Sequence, residues 1–290
     1  MSQERLKWIY LGILSLVWGS SFILMKKALI SLSPIQVGAL RILITAVFLF
    51  LIGFKHVFKI NKRQWYYLLL NGFIGSFIPV FLFAYAIKHI DSSIASILNS
   101  LTPLNTIIFG ALIFGFSFKR SQLIGVLVGL VGAIVLILKG AEINPSQDYS
   151  YAGLILIATI CYALNVNIIK KHLHDLDALS ITVGNFMLLI VPAFIVLYFT
   201  EFFTTFELNA TSRLSLIYIT ILAIFGTGLA KILYNHLIQI STPVYSSSVT
   251  YLIPIVAIMW GVLDGEKISI VQILAGGIII FGVYLVNKKK

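Results

Sequence analysis

The chain has 290 residues, of which 59% are hydrophobic and 11% charged, with a formal net charge of +11. A mean hydropathy of +1.02 excludes a soluble domain, because the sequence cannot supply the polar surface that a domain of this size presents to water. The basic excess is no nucleic-acid footprint, since its lysines and arginines fall in short clusters between apolar runs and form no single aromatic-interleaved patch. Lipid must be the solvent for much of the exterior. Cys161 is the only cysteine, so neither a disulfide framework nor a Cys-based metal site is available, and no cofactor or metal is expected.

A bilayer core of roughly 30 Å needs about 20 apolar residues per crossing helix. The runs 7–26, 35–54, 65–87, 93–114, 120–138, 151–170, 178–200, 214–238, 243–263 and 269–286 predict ten of them, hence an all-α integral membrane protein.

The first run continues to Met25, ends on Lys26 and Lys27 and lacks a small-x-small cleavage pattern, so it reads as a retained helix and not as a signal peptide. Its Trp18 lies mid-span, away from the interfacial belts, and the indole N–H needs a partner. A substrate cavity or a neighbouring helix would answer that need. Arg41, near the outer third of helix 2, reads as a structural or orienting cation. Tyr85 on helix 3 is a substrate candidate close to the span end.

Helix 4 places Ser92, Ser96, Asn99, Pro103 and Thr106 on one face. A proline removes a backbone donor and kinks a helix, so Pro103 is a hinge candidate and Asn99 a substrate contact. Ordinary packing through hydroxyl hydrogen bonds is the competing reading. Helix 5 carries Gly125 and Gly129 in a GxxxG with Gly132 following, a small face suited to close helix approach within one chain or in a homodimer; monomer and homodimer both remain open.

The longest connection, "KGAEINPSQDYSYAG", divides the chain near its middle. Beyond it, helix 6 offers Tyr162, Asn165 and Asn167, and helix 8 holds Lys231 within "LAKILYNHL", on one face with Thr227 and Tyr234. A lysine at depth in lipid is costly enough that it faces a cavity or snorkels along its own stem to the helix end. Asn235 and His236 follow. Helix 9 repeats the pattern of helix 4 with Ser247, Thr250 and the hinge candidate Pro254, and helix 10 is glycine-rich at Gly276, Gly277 and Gly282.

The basic residues crowd alternate connections. Arg5, Lys7, Lys55, Lys59, Lys62, Arg63, Lys119, Arg120, Lys170, Lys171, Lys288, Lys289 and Lys290 fall on one side, and Lys26, Lys27, Lys88, Lys139, Arg213 and Lys267 on the other. The positive-inside rule therefore predicts both termini in the cytoplasm.

The two halves are related. "VWGSSFILMKKAL" (17–29) lies on "CYALNVNIIKKHL" (161–173) at a shift of 144, and "SSIASILNSLTPLNTIIFG" (92–110) lies on "PVYSSSVTYLIPIVAIMWG" (243–261) at a shift of 151. Residues 1–140 and 151–290 thus read as two copies of a five-helix unit. An odd number of crossings inverts the second copy relative to the first, the usual construction of alternating-access transporters with a midplane site.

All ten Asp and Glu residues fall in termini, loops or helix ends. That disfavours a proton relay built on an intramembrane acid, and no His-x-x-x-His or Ser/His/Asp set points to an enzyme.

The chain resembles the drug/metabolite transporter superfamily, in its EamA-type ten-helix branch. The resemblance rests on "VWGSSFILMKKAL", "ALRILITAVFLF", "AYAIKHIDSSIASILNSLTPLNTIIFGALIFG" and "VTYLIPIVAIMWGVLDGEKISIVQILAGGIIIFGVYLV", and covers essentially the whole chain. It implies a bacterial-type inner-membrane carrier of small metabolites, often amino acids or related compounds, commonly working by export. Arg41 fits the family's arginine in helix 2. One departure is plain: Gly265-Glu266 matches the family's Gly-Glu, whereas the first half has Gly115-Phe116.

These readings combine into an expected secondary transporter with a central cavity between the repeats, lined by helices 1, 3, 4, 6, 8 and 9, the helix list following from the resemblance. Trp18, Tyr85, Asn99, Tyr162, Asn165, Tyr234 and Thr250 would hold the substrate body, and Lys231 an acidic group such as a carboxylate. The repeat mate of Lys231 at a shift of 151 is Val80, so the fold itself does not call for this cation. The expected partners are a small-molecule substrate and the lipid bilayer. The competing reading is a membrane-embedded enzyme or a non-transporting scaffold.

Overall fold

The computed structural model describes residues 3–115, 120–143 and 146–287. It is all-helical among the described residues. We label the main helices α1 (Gln3–Ala28), α2 (Pro34–Gly53), α3 (Lys62–His89), α4 (Ser92–Leu112), α5 (Arg120–Ile143), α6 (Ala152–His172), α7 (Ala178–Tyr198), α8 (Ala210–Ile240), α9 (Pro243–Leu263) and α10 (Ile270–Asn287). Eight are long and apolar enough to cross a membrane, and the shorter apolar stretches Leu127–Leu136 and Ile270–Gly282 lie in α5 and α10. The protein is a multi-pass membrane protein. Of the basic residues that set the expected orientation, Lys119, Lys288, Lys289 and Lys290 lie outside the described residues, as does Phe116.

Polar residues between the apolar runs fix where the helices begin. Ser33 and Gln36 form a capping box before Pro34 at the start of α2, and Asn61 with Gln64 does the same for α3. Asp177 caps α7 through Ser180, Asn209 and Ser212 cap α8, and Thr242 precedes Pro243 at α9. Each cap satisfies backbone N–H groups that would otherwise be left bare near the hydrocarbon. Side chains pointing away from the bundle stay apolar: Leu51 is 77% exposed and Phe199 79%.

Four helices are interrupted in their interiors. α3 contains a π-helical turn at Phe73–Phe77 and α8 one at Leu222–Leu229. α4 breaks between Ser92–Asn99 and Thr102–Leu112, and α9 passes through a 3₁₀ segment, Ser248–Tyr251, before Ile253–Leu263. Pro103 and Pro254 each stand at the start of the second piece, where a missing N–H costs no hydrogen bond.

The polar stripe of helices 4 and 9 is therefore interrupted at these breaks. Ser96, Thr106 and Ser247 are buried and bond to carbonyls three or four residues earlier in their own helices, a local solution always open to these short side chains. Only the stretches beside the breaks remain available to a cavity.

Helices of the two halves interleave. α1 packs on α8 and α9, α6 on α3 and α4, and α2 on α7, while α5 and α10 pack chiefly on each other. Glycines set this last contact: a Cβ on Gly282 would lie 2.6 Å from the Gly125 carbonyl oxygen and 2.6 Å from the Gly129 nitrogen. The small face of helix 5 is used within the chain.

Candidate functional site

At mid-depth the broken helices leave a cavity of about 90 Å³, measured as space open to the centres of water molecules. Trp18, Asn99, Tyr162, Asn165, Lys231, Tyr234 and Thr250 all line it, and Tyr85 does not. The cavity face of α3 is instead Val80, Phe83 and Ile87. Tyr85 follows Phe83 by two residues, which at 3.6 residues per turn rotates it by about 200° away. Lining comes from α1, α3, α4, α6, α8 and α9, and also from α2 through Arg41.

The π-helical turns are the key to the site's chemistry. Such a turn disturbs the regular helical hydrogen bonding, and side chains donate to its carbonyls: Thr45 Oγ1 to Ala223 at 2.8 Å, Thr227 Oγ1 to Leu222 at 3.3 Å, and two more at the cavity. Lys231 Nζ donates to the Gly75 carbonyl in α3 at 2.5 Å, and Trp18 Nε1 donates to the Gly226 carbonyl in α8 at 2.9 Å. Lys231 thus reaches across to the other half of the chain and does not snorkel to its own helix end. Its ammonium also lies 5.6 Å from the centroid of the Tyr162 ring, a cation–π contact.

Gly75 and Gly226 allow close approach as well. A Cβ on Gly75 would meet the Asn165 amide at 2.0 Å, and one on Gly226 would meet Ser21 Oγ at 2.6 Å. Asn165 in turn donates to Asn71 Oδ1 at 2.6 Å. Trp18 meets the Tyr234 ring edge to face with centroids 4.9 Å apart, and Phe83 stacks on Tyr162 at 5.9 Å.

Arg41 was expected to be structural, and the structure gives it a second aspect. Its Nε donates to Thr227 Oγ1 at 2.6 Å, tying α2 to the π-helical turn of α8, while the guanidinium lines the cavity. The other polar candidates serve packing: Asn167 donates to the Thr106 and Ala163 carbonyls, Asn235 to Thr182, and His236 pairs with Tyr10.

The sequence reading missed Gly75, Ser76 and Gly226 as lining residues. The signal was present. At the shift of 151 Gly75 falls on Gly226, Ser76 on Thr227, Phe83 on Tyr234, Asn99 on Thr250 and Thr102 on Ile253, and at 144 Trp18 falls on Tyr162 and Ser21 on Asn165. All of these line the cavity.

A second cluster lies toward the end of the bundle opposite the chain termini. The Glu266 side chain is 1% exposed. It accepts from Lys26 Nζ at 2.8 Å, from the Ser92 hydroxyl at 2.6 Å, from the Ser92 and Ser93 N–H groups at 3.1 Å each, and from the Ser93 hydroxyl. It is an anion at the N-terminus of α4, where the unsatisfied N–H groups favour negative charge. Gly265 makes this possible: its φ of 86° is the left-handed conformation that ends a helix and turns the chain back. Gly261 leaves the space, since a Cβ there would lie 2.5 Å from Glu266 Oε2.

Asp264 completes the cluster, accepting from Lys26 at 2.8 Å and from Lys27. Burial pushes the Glu266 carboxyl up, but the hydrogen bonds from Lys26, Ser92 and Ser93 and the Lys26 charge outweigh it and hold the group below the usual carboxylate range. Asp264 is likewise held low, burial being outweighed by Lys26 and Lys27.

Among the described residues there is no group of acidic, His or Cys side chains able to hold a metal. The architecture matches known proteins over its whole length. The EamA-like transporter family matches residues 6–138 and again 150–288. This chain belongs to that family. It is 28% identical over 287 residues to the Escherichia coli K12 protein called "uncharacterized inner membrane transporter YedA", covering 96% of this chain and 89% of the relative. It is 27% identical over 288 residues to a Salmonella typhimurium "probable amino-acid metabolite efflux pump", covering 93% of this chain and 90% of the other. A solved crystal structure of 16% sequence identity shares the fold at a TM-score of 0.68, covering 98% of this chain and 96% of that one.

Proposed function

We propose that this EamA-family protein is a secondary transporter, exporting small organic metabolites by alternating access across the cytoplasmic membrane of a bacterium, with both termini in the cytoplasm. The observation that carries the reading is the mid-depth cavity built from corresponding positions of the two halves. Gly75 against Asn165 and Gly226 against Ser21 are the same contact made twice, because Ser21 corresponds to Asn165 and Gly75 to Gly226.

That reciprocity, together with the double family match, supports two inverted five-helix repeats whose exchange of conformation would open the cavity first to one side and then to the other. Pro103 and Pro254, placed at the helix breaks, would absorb the change in angle as one half rocks against the other. Export, and a substrate among amino acids or related carboxylates, are suggested by the name of the Salmonella relative. The cavity's aromatic and amide side chains suit a small organic body, and Lys231 suits an anionic group.

A thermal-shift screen of the purified protein against a metabolite library, followed by transport of the hits in proteoliposomes, tests the reading. Saturable movement of a stabilising compound, driven by its own gradient or an imposed ion gradient, is expected. A scaffold would move none under any gradient, and an enzyme would convert its ligand in detergent without two compartments.

A further inference from the structure

We infer that the cavity takes a small organic acid carrying two negative charges, in preference to a zwitterionic amino acid; this rests on the reading of the cavity as a transport site. The lining contains two cations, Arg41 and Lys231, and no Asp or Glu. Neither cation forms an ion pair among the described residues, and each is tied to one neutral oxygen, Arg41 to Thr227 Oγ1 and Lys231 to the Gly75 carbonyl. Thr227 is one helical turn from Lys231 on α8, so both charges are anchored to the same stretch of that helix.

Two like charges held beside one cavity inside a bilayer repel each other and have lost water, and such groups persist where something of opposite sign completes them. Nothing in the duplicated framework demands them. The mate of Lys231 is Val80, and Arg41 falls on Asn185 at the shift of 144. The opposite charge therefore arrives with the occupant. Arg41 keeps its terminal nitrogens for a planar two-oxygen group, and Lys231 keeps the donors that Gly75 does not use.

A zwitterion fits less well. Its ammonium would sit beside Arg41 and Lys231 with no carboxylate in the lining to offset the repulsion, and the Gly75 and Gly226 carbonyls already accept from Lys231 and Trp18. Size agrees: at about 10–15 Å³ of water-centre space per water, the 90 Å³ cavity holds about six to nine waters, the bulk of a four-carbon diacid.

Succinate, succinamate and succinamide share one shape and carry two, one and no negative charges, so they separate charge from fit. In thermal-shift binding and counterflow in proteoliposomes, in a buffer free of carboxylate and phosphate, the order expected is succinate, then succinamate, then succinamide. K231Q should cut the ratio of succinate to succinamide affinity roughly tenfold or more, whatever its effect on both, and K231R, which keeps the charge, should retain most of the preference. Glycerol 3-phosphate, the other small dianion, competing better than succinate would support the charge rule and name the phosphoryl group. If succinamide or glutamine binds and moves as well as succinate, or if K231Q keeps the full succinate preference, the charge inference is overturned while the transport reading stands. If no solute of any charge moves through protein that remains folded and monodisperse, the transport reading itself falls.

Discussion

The two ends of the bundle start from corresponding residues and are built differently. Toward the end away from the termini, the cavity extends past its paired positions along Phe22, Met25 and Ile87. Their counterparts toward the terminus-bearing end, Val166, Ile169 and Ile238, do not line it and pack in a buried cluster with Leu11, Leu14 and Tyr234. The ties differ too. Lys26 meets the carboxylates of Glu266 and Asp264, whereas its counterpart Lys170 donates to the carbonyls of Ile238, Gln239 and Ser241 at the C-terminus of α8. A lysine finds charge at one end and helix-terminal dipoles at the other. The difference teaches that corresponding positions hold the two ends by interactions of unequal strength and pH sensitivity.

The largest test removes the acid. Glu266→Ala strips a buried anion from Lys26 and leaves the Ser92 and Ser93 groups without their acceptor, so a loss of about 3 kcal/mol is expected, read as a lower melting temperature in detergent. An unchanged melting temperature would show that the cluster does not hold this end together. Thiol labelling sharpens the contrast in the cavity. On a background in which Cys161 is replaced by serine, cysteine at Met25 should react with a small polar maleimide at least about tenfold faster than cysteine at Ile169, because Met25, though buried, borders the cavity, whereas Ile169 lies in closed packing and needs an opening step. Equal rates would remove the asymmetry.

Acid provides a smaller effect of defined sign. Glu266 and Asp264 titrate below their ordinary range, so their stabilisation is present above the unfolded glutamate pKa of about 4.3 and is lost as pH falls through the lower folded values. The melting temperature should therefore drop on acidification, and Glu266→Gln should show a shallower drop than the parent. A parallel pH profile would place the sensitivity elsewhere. The smallest effect expected is at the other tie: Lys170→Met loses hydrogen bonds to neutral carbonyls at a helix end and no ion pair, about 1 kcal/mol. A loss as large as that of Glu266→Ala would make the two ends equivalent.

Much of the site was legible because periodicity and duplication are properties of a linear string. Tryptophan at mid-span in Trp18 and a lysine with an aliphatic mate in Lys231 both stand out against an apolar background, and both line the cavity. Tyr85 was misplaced because a tyrosine near a span end is attractive wherever its helix turns it, and only the observed face of α3 settles that it points elsewhere. Arg41 was underread for the complementary reason: its residue type was noticed, but the face that α2 presents is chosen by packing on α7 and α8. The stripe on helix 4 was regular in sequence, yet with the break after Asn99 the cavity is lined by Asn99 and Thr102 and not by Ser96 or Thr106.

By itself the sequence determined that this chain lives in lipid, roughly where its helices begin and end, that its two halves carry matching stretches at shifts of 144 and 151, and that its acids fall outside the apolar runs. Those follow from composition, hydropathy and spacing, which act along the chain. Only the tertiary structure decided that Lys231 and Trp18 each cross to the other half to donate to the carbonyls of Gly75 and Gly226 beside one cavity, and that Arg41 joins Lys231 there. These are contacts between residues far apart in sequence, and they depend on which helix face turns inward, which the closeness of packing between helices settles.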